Sequence, residues 1–334
     1  MLNLIKKLVK PVCVPGNESE VAGVIAEEIS PYVTSCRTDS MGNLIAFKEG
    51  TGEHKKKLMF AAHIDEIGFM VTHIEESGFL RFNTMGGINM TAAAYSQVIF
   101  EGGAVGVLVP DSNAGGNLNQ DNCSVDIGAK TKKDAEKRVS IGETFAVKSD
   151  AVKLSGTRIA GRPMDDRIGA AILIEAAKKL ENAYNDVYFC FTVQEEVGCR
   201  GSKTASYSVM PDIGIALDVT ATGDTMGARP MEVKLGGGAA IKIKDSSVVC
   251  DRALVEKMKK IAEENKIKYQ LEILTGGGTD TSSMQQTGAG AVAGCISIPT
   301  RYIHSPVETL DLSDVSECVK LTAAIAEADL SDLF

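Results

Sequence analysis

An α/β domain interrupted by a β-rich unit is the fold class this sequence predicts, and three observations carry it. From Gly161 onward helix-period and strand-like stretches alternate, the pattern of an α/β sheet with helices packed on it. Between about Gly68 and Ala160 helical periodicity almost vanishes, and short β-like runs alternate with Gly-rich turns. Before Gly68 the first texture returns. The chain therefore reads as one α/β domain, residues 1–67 plus 161–334, with residues 68–160 inserted. Its 334 residues suit two units of roughly 100 to 200 residues, and 44% hydrophobic with 24% charged residues is an ordinary globular balance.

The elements follow in chain order. Asn17, with Glu20 three residues later, predicts a capping box opening the helix EVAGVIAEEI. NLIAF at 43–47 and KLMFAAH at 57–63 read as strands, the second apolar on both faces as a strand covered on both sides requires. FLRF, QVIFEG, VGVLVP and ETFAV are the β-like runs of the insert. Then come a helix over 166–181, the strand VYFCFTV, a helix near 201–208, the strand IGIALDV, a helix over 251–266, the strands YQLEIL and AVAGCISI, and a last helix from about 311. No internal repeat or low-complexity tract interrupts the series.

Composition removes several function classes. With 35 Lys+Arg against 44 Asp+Glu the formal charge is −9, so nucleic acid and anionic membrane are poor partners. Trp is absent and aromatics make up 5%, leaving little for base stacking. Eight Cys include no C-x-x-C pair and sit mostly among apolar neighbours, the pattern of reduced cytosolic thiols rather than a disulfide frame or zinc ribbon. The N-terminal MLNLIKKLVKPV lacks the continuous apolar core of a signal peptide, and no run of ~18 apolar residues follows. The expectation is a soluble cytoplasmic protein.

Only four His occur, at 54, 63, 73 and 304, and H-E-x-x-H, G-x-S-x-G and P-loop motifs are missing. What remains is rich in carboxylates. His63 ends an apolar strand, and Asp65 two residues on would accept the second N–H of a metal-bound imidazole. The same segment fits a structural His–acid pair. Asp165 and Asp166 open a helix, where an acid taken alone is a cap. Glu195 and Glu196 follow a buried strand, a costly place for two carboxylates unless something positive neutralises them. Asp218 ends IGIALD, and His304 follows AVAGCISI; alone, that histidine fits an ordinary loop residue. All of them fall at the C-terminal ends of strands or the N-termini of the helices beyond, the edge where open α/β sheets bind ligands. Two His with three or more acids suffice for two divalent ions sharing a bridging carboxylate and activating water, with one spare acid as general base.

In this order and spacing, AAHIDEIGFMV, GRPMDDRIGAA, VQEEVGCRGS, ALDVT, GGGTDTSS and RYIHSPVE resemble the tetrahedral (TET) aminopeptidases, a dimetal family of glutamyl and leucyl aminopeptidases of which some carry an endoglucanase label. The resemblance spans nearly the whole chain, including DIGAKTKKDAEKRVSIGE of the insert. It implies a mixed-sheet, zinc-peptidase-like domain with helices on both faces and a small β-barrel insert used for subunit contacts. It also implies release of N-terminal residues from short peptides by a water bridged between two divalent metals. One metal would be held by His63, Asp165 and Asp218, the other by Asp165, Glu196 and His304, with Asp165 bridging. Glu195 matches the general base, Asp65 the acid orienting His63, and Asp280 falls in a substrate-side loop. His and carboxylate ligands suit Zn, Co or Mn. Family particles are dodecamers built from dimers, with the sites facing inward.

Two segments depart from the family. GGINMTAAAYSQVIFEGG carries small residues where a bulkier turn is usual, and VPDSNAGGNLNQDN lacks a histidine-bearing loop, so the dimer alone is an alternative assembly. Lys242 in AIKIKD, if it projects toward substrate, would favour an acidic first residue; a solvated strand lysine is the plain alternative. Paired carboxylates also cleave glycosides, but the two His favour metal and the scarcity of aromatics leaves few sugar platforms. A non-catalytic peptidase-like scaffold would be expected to have lost a ligand or the base, and all seven motif positions are intact.

Overall fold

A computed structural model covers residues 1–334. The chain opens with α1 (Leu2–Leu8), α2 (Ser19–Ile29), β1 (Ser35–Thr38), β2 (Leu44–Lys48) and β3 (Lys57–His63). A closed antiparallel barrel follows, made of β4 (Gly68–Ile74), β5 (Leu80–Met85), the short α3 (Met90–Ala93), β6 (Gln97–Phe100), β7 (Val105–Pro110), β8 (Cys123–Asp126), the short α4 (Lys132–Ala135) and β9 (Thr144–Val147). Then come β10 (Val152–Lys153), β11 (Arg158–Gly161), α5 (Arg167–Lys179), β12 (Asp186–Thr192), α6 (Arg200–Val209), β13 (Ile213–Thr220), β14 (Ala239–Lys244) and α7 (Arg252–Glu264). The last elements are β15 (Tyr269–Ile273), α8 (Thr281–Gln285), β16 (Val292–Arg301), β17 (Glu308–Asp311) and α9 (Leu312–Glu327).

The large sheet runs β1-β2-β12-β3-β13-β16-β17-β11-β10, with β14 on β16 and β15 beyond it. Its centre is parallel, β12 beside β3 and β3 beside β13 beside β16, and its flanks are antiparallel except for β15, which runs parallel to β14. The continuous apolar character of KLMFAAH has its cause here. Leu58, Phe60 and Ala62 enter the main core, where α1, α2, α5, α7 and α9 also bury side chains. Met59 and Ala61 enter a smaller core with Ala205 and Val209 of α6 and Met284 of α8. Helices thus cover both faces, and only the strand ends remain to present polar groups.

The barrel has its own core, in which Phe145 stacks on Phe69 at 5.0 Å between centroids and contacts Phe100 at 4.7 Å and Phe82 at 5.8 Å. Two local expectations differ from the structure. The β10–β11 hairpin, assigned by sequence to the insert, belongs by pairing to the large sheet, because Gly161 of β11 registers with Glu308 of β17 far along the chain. The Asn17–Glu20 capping box does not form. α2 starts at Ser19 with Glu18 at its N-cap, and Asn17 instead donates from Nδ2 to Glu101 Oε2 at 2.6 Å, joining the main domain to the barrel.

Candidate active site

The parallel strands of the centre deliver their C-terminal ends to one edge. His63 is the last residue of β3 and registers with Thr192, the last of β12, so Glu195 and Glu196 emerge beside it. Asp218 lies in β13, two residues before its end, and His304 follows β16. Asp165 and Asp166 precede α5. They divide the work that their position left open. Asp166 accepts from Gly169 N–H at 3.1 Å as the helix cap while lying near His63 and Asp218, whereas Asp165 turns both oxygens to the histidines.

Asp165 is the geometric centre. Its Oδ1 lies 3.0 Å from Nε2 of His63 and its Oδ2 3.2 Å from Nε2 of His304, one oxygen to each imidazole. Glu196 Oε2 stands 3.3 Å from the same nitrogen of His304. Asp218 Oδ1 and Glu195 Oε2 lie 3.9 and 4.0 Å from His63 Nε2. Two overlapping groups of donors follow, His63, Asp165 and Glu196 in one, His63, Asp166 and Asp218 in the other. Asp166 joining His63 and Asp218 is a feature that the sequence reading did not assign. His63, Asp165, Glu195, Glu196, Asp218 and His304 line a cleft of about 490 Å³, and the barrel reaches it too: a side chain at Gly87 would press to 3.2 Å of His304 Nδ1.

The electrostatics are those of a site short of positive charge. Burial pushes the carboxyls of Glu195, Glu196, Asp166 and Asp218 above their usual range, and neighbouring carboxylates add to it. Asp165 alone goes the other way: burial opposes its ionisation, but the hydrogen bonds with His304 and His63 outweigh it. Burial would depress both imidazoles, yet Asp165 with Asp65 raises His63 well above normal, and Asp165 with Glu196 takes His304 to about 11. Glu196 Oε1 and Asp166 Oδ2 are buried without any hydrogen-bond partner, which is costly for a carboxylate unless a cation completes the site. Imidazole nitrogens and carboxylate oxygens are the donors of Zn, Co or Mn, so the residues fit divalent metal.

A ring of buried groups holds these side chains. Asp65 accepts from the backbone N–H of Glu195 at 3.0 Å and of Glu196 at 3.1 Å, while the Nδ1 of His63 faces the Asp65 carbonyl at 3.2 Å and its carboxylate at 3.5 Å. Its carboxylate therefore fixes the two glutamates as well as flanking the imidazole. Glu18 accepts from Gln194 N–H at 3.1 Å. Glu308, absent from the sequence-derived set, accepts from Met164, Asp165 and His304 N–H at 2.7, 3.1 and 3.0 Å. Burial and the Asp165 carboxylate raise its carboxyl to about 8, against the nearby Arg162. The signal for it was an acid four residues after His304 in HSPVE.

The two residues expected on the substrate side are both buried. Lys242 is not solvated: it borders the cleft from a completely buried position, with Nζ 2.6 Å from Glu272 and 3.4 Å from Asp245. Two carboxylates more than offset one ammonium. Asp280, expected in a substrate-side loop, is 2% exposed at the start of α8, where its Oδ2 accepts from Thr192 Oγ1 at 2.5 Å.

Comparison with known proteins adds a second line of observation. The model of the M42 glutamyl aminopeptidase family matches residues 42–321. A putative aminopeptidase of Acetivibrio thermocellus is 47% identical over 96% of this chain and 97% of its own. The solved aminopeptidase of the archaeon Desulfurococcus kamchatkensis superposes with a TM-score of 0.95 at 35% identity, covering 99% of this chain and 95% of that one. The TET1 peptidase of Pyrococcus horikoshii, described as assembling into a tetrahedron or a large octahedral shell, superposes with a TM-score of 0.86 at 34% identity over 97% and 98% of the two chains.

Proposed function

This chain belongs to the M42 glutamyl aminopeptidase family, and from that premise we propose how its residues carry out the metal-dependent aminopeptidase reaction. His63, Asp165 and Asp218 hold one divalent ion, and Asp165, Glu196 and His304 hold the second; Zn or Co is the preferred metal and Mn suits the same donors. What supports the reading is Asp165, whose two oxygens each face a different histidine. When bound, the pair of ions supplies Lewis acidity and a nucleophile from water at neutral pH.

Glu195 acts as the base. Its carboxyl reaches the cleft beside His63 without a place in either ligand set, and its N–H is anchored on Asp65. It takes a proton from the attacking water and returns it to the departing amine. Asp65 keeps His63 and the two glutamates in register, and Glu308 does the same for Asp165 and His304 through their backbones. The acidic lining receives the free ammonium of a peptide N-terminus. With the charge of Lys242 offset by Glu272 and Asp245, no preference for an acidic first residue follows from it.

We place the enzyme in the cytoplasm; no helix is long and apolar enough to cross a membrane. Self-association runs through the barrel, by dimers toward a dodecamer, a reading supported by the Pyrococcus horikoshii relative, which is described as assembling into a tetrahedron or a large octahedral shell.

The test is a panel of aminoacyl chromogenic substrates and their N-acetylated forms, assayed on metal-free protein with Zn, Co or Mn added back. Turnover restored by metal and confined to unblocked substrates is expected. Equal cleavage of acetylated substrates would remove the ammonium-binding role of the acids.

A further inference from the structure

A second group of ligand-type atoms lies behind the two-ion site. Glu195, Cys199 and Asp280 each bring one donor, and these atoms all lie within 4.8 Å of one another. Cys199 Sγ is 3.2 Å from Glu195 Oε1. The independent observation is Asp280: it is 2% exposed, one oxygen accepts from Thr192, and the other, Oδ1, makes no hydrogen bond of good geometry, with the Ser202 hydroxyl acting weakly on the same carboxyl. A buried carboxylate oxygen left open beside a thiol and a second carboxylate calls for a cation.

The turn that presents Cys199 is built. Its N–H donates to the Glu195 carbonyl at 2.9 Å, which closes the turn and brings the thiol over the Glu195 side chain. Its own carbonyl accepts from Ser202 Oγ at 3.0 Å and Ser283 Oγ at 3.3 Å, and its φ of 51° is one that a cysteine adopts only when its surroundings impose it. Cys199 and Glu195 both line the cleft, so an ion can reach them. No other cysteine of the eight belongs to such a group.

We infer that Glu195, Cys199 and Asp280 form a third, inhibitory cation site, selective for a thiophilic divalent ion such as Zn²⁺ or Cd²⁺. One sulfur and two oxygens suit such ions better than Mg²⁺ or Ca²⁺. Bond lengths near 2.3 Å to sulfur and 2.0–2.2 Å to oxygen are compatible with the 3.2 Å between Cys199 Sγ and Glu195 Oε1. On binding, the S–H bond breaks, its proton leaves to solvent, and a sulfur–metal bond forms; no electrons are transferred. The same event takes the Glu195 carboxylate out of proton transfer. The inhibitory consequence rests on Glu195 being the base, whereas the binding does not.

The experiment is titration of Cd²⁺ into enzyme already loaded with its catalytic metal, following the sulfur-to-cadmium charge-transfer absorption, proton release and peptidase activity together. One thiolate absorption step per subunit is expected, with activity falling in proportion. Cys199→Ala is expected to lose the step, and Asp280→Asn to shift its midpoint by at least about tenfold. Cys36→Ala, which alters the thiol that is neither buried nor in the group, is expected to keep the step unchanged. A step that survives Cys199→Ala, or one that Asp280→Asn leaves in place, overturns the site. A step that appears with no loss of activity overturns the inhibitory role and, with it, the reading of Glu195 as base, while the cation site itself stands.

Discussion

The barrel and the ligand edge of the large sheet solve opposite problems. In the barrel, Phe69, Phe82, Phe100 and Phe145 pack around one another within a closed ring of strands, so its stability comes from apolar contact and leaves no strand edge open. At the sheet edge, Asp165, Asp166, Glu195, Glu196 and Asp218 crowd around two histidines, and two of their oxygens have no partner. One region is complete in itself; the other, on the proposed reading, is completed by cations. Substitutions in the first should change how much protein folds, and substitutions in the second should change what the folded protein does.

The largest effect expected separates neighbours at the edge. Glu195→Gln keeps the shape and removes the proton acceptor, so kcat should fall by roughly 10² to 10⁴ with metal content and KM little changed. Glu196→Gln should instead lose one ion, with activity partly recovered at high metal. Elemental analysis beside steady-state kinetics decides; metal loss in Glu195→Gln with retention in Glu196→Gln would exchange the two roles.

Phe145→Ala tests the other half of the contrast. Truncating a buried Phe costs about 3 to 5 kcal/mol, which denaturant unfolding would register, while kcat per folded, metal-loaded molecule should stay near that of the parent. A drop in kcat larger than the loss of folded protein would show that the barrel tunes the site and that the two regions are not separable.

Asp65→Asn is smaller and mixed, because this carboxylate supports both glutamate N–H groups and His63. Losing such a supporting acceptor typically costs ~10- to 100-fold in metal affinity or activity. An Asn that leaves metal affinity and kcat intact would confine Asp65 to a passive place in the turn.

The gentlest test is a slope. In metal-free protein the carboxyls of Glu195, Glu196 and Asp218 are raised by burial, and both histidines are raised by their acid partners. A group raised on folding contributes stability below its unfolded pKa and loses it as pH climbs through the folded one. Asp165 is lowered, so its contribution is already complete above pH of about 5. The Tm of the metal-free protein should therefore fall between pH of about 5 and about 9, and saturating metal should flatten the decline. A Tm that rises with pH over that range would contradict the excess of acid assigned to the edge.

Much of this was legible along the chain. The two-sided apolar run KLMFAAH places β3 in the middle of a covered sheet, and the polar residues at the strand ends then have one edge to occupy. Those inferences rest on short-range periodicity, which a sequence displays directly. Tertiary structure alone decided the rest. It made Asp166 the cap and Asp165 the inward acid, although both sit at the same helix start. It turned Asn17 toward Glu101 instead of its own helix, and it gave the β10–β11 hairpin a partner in β17. It buried Lys242 between Glu272 and Asp245, and it set Glu308 under Asp165 and Asp280 behind Glu195. The reason is physical: each of these outcomes is a contact between residues that chain order does not pair. Which polar group finds which partner depends on sheet register and loop path, which no local pattern of hydrophobicity or capping encodes.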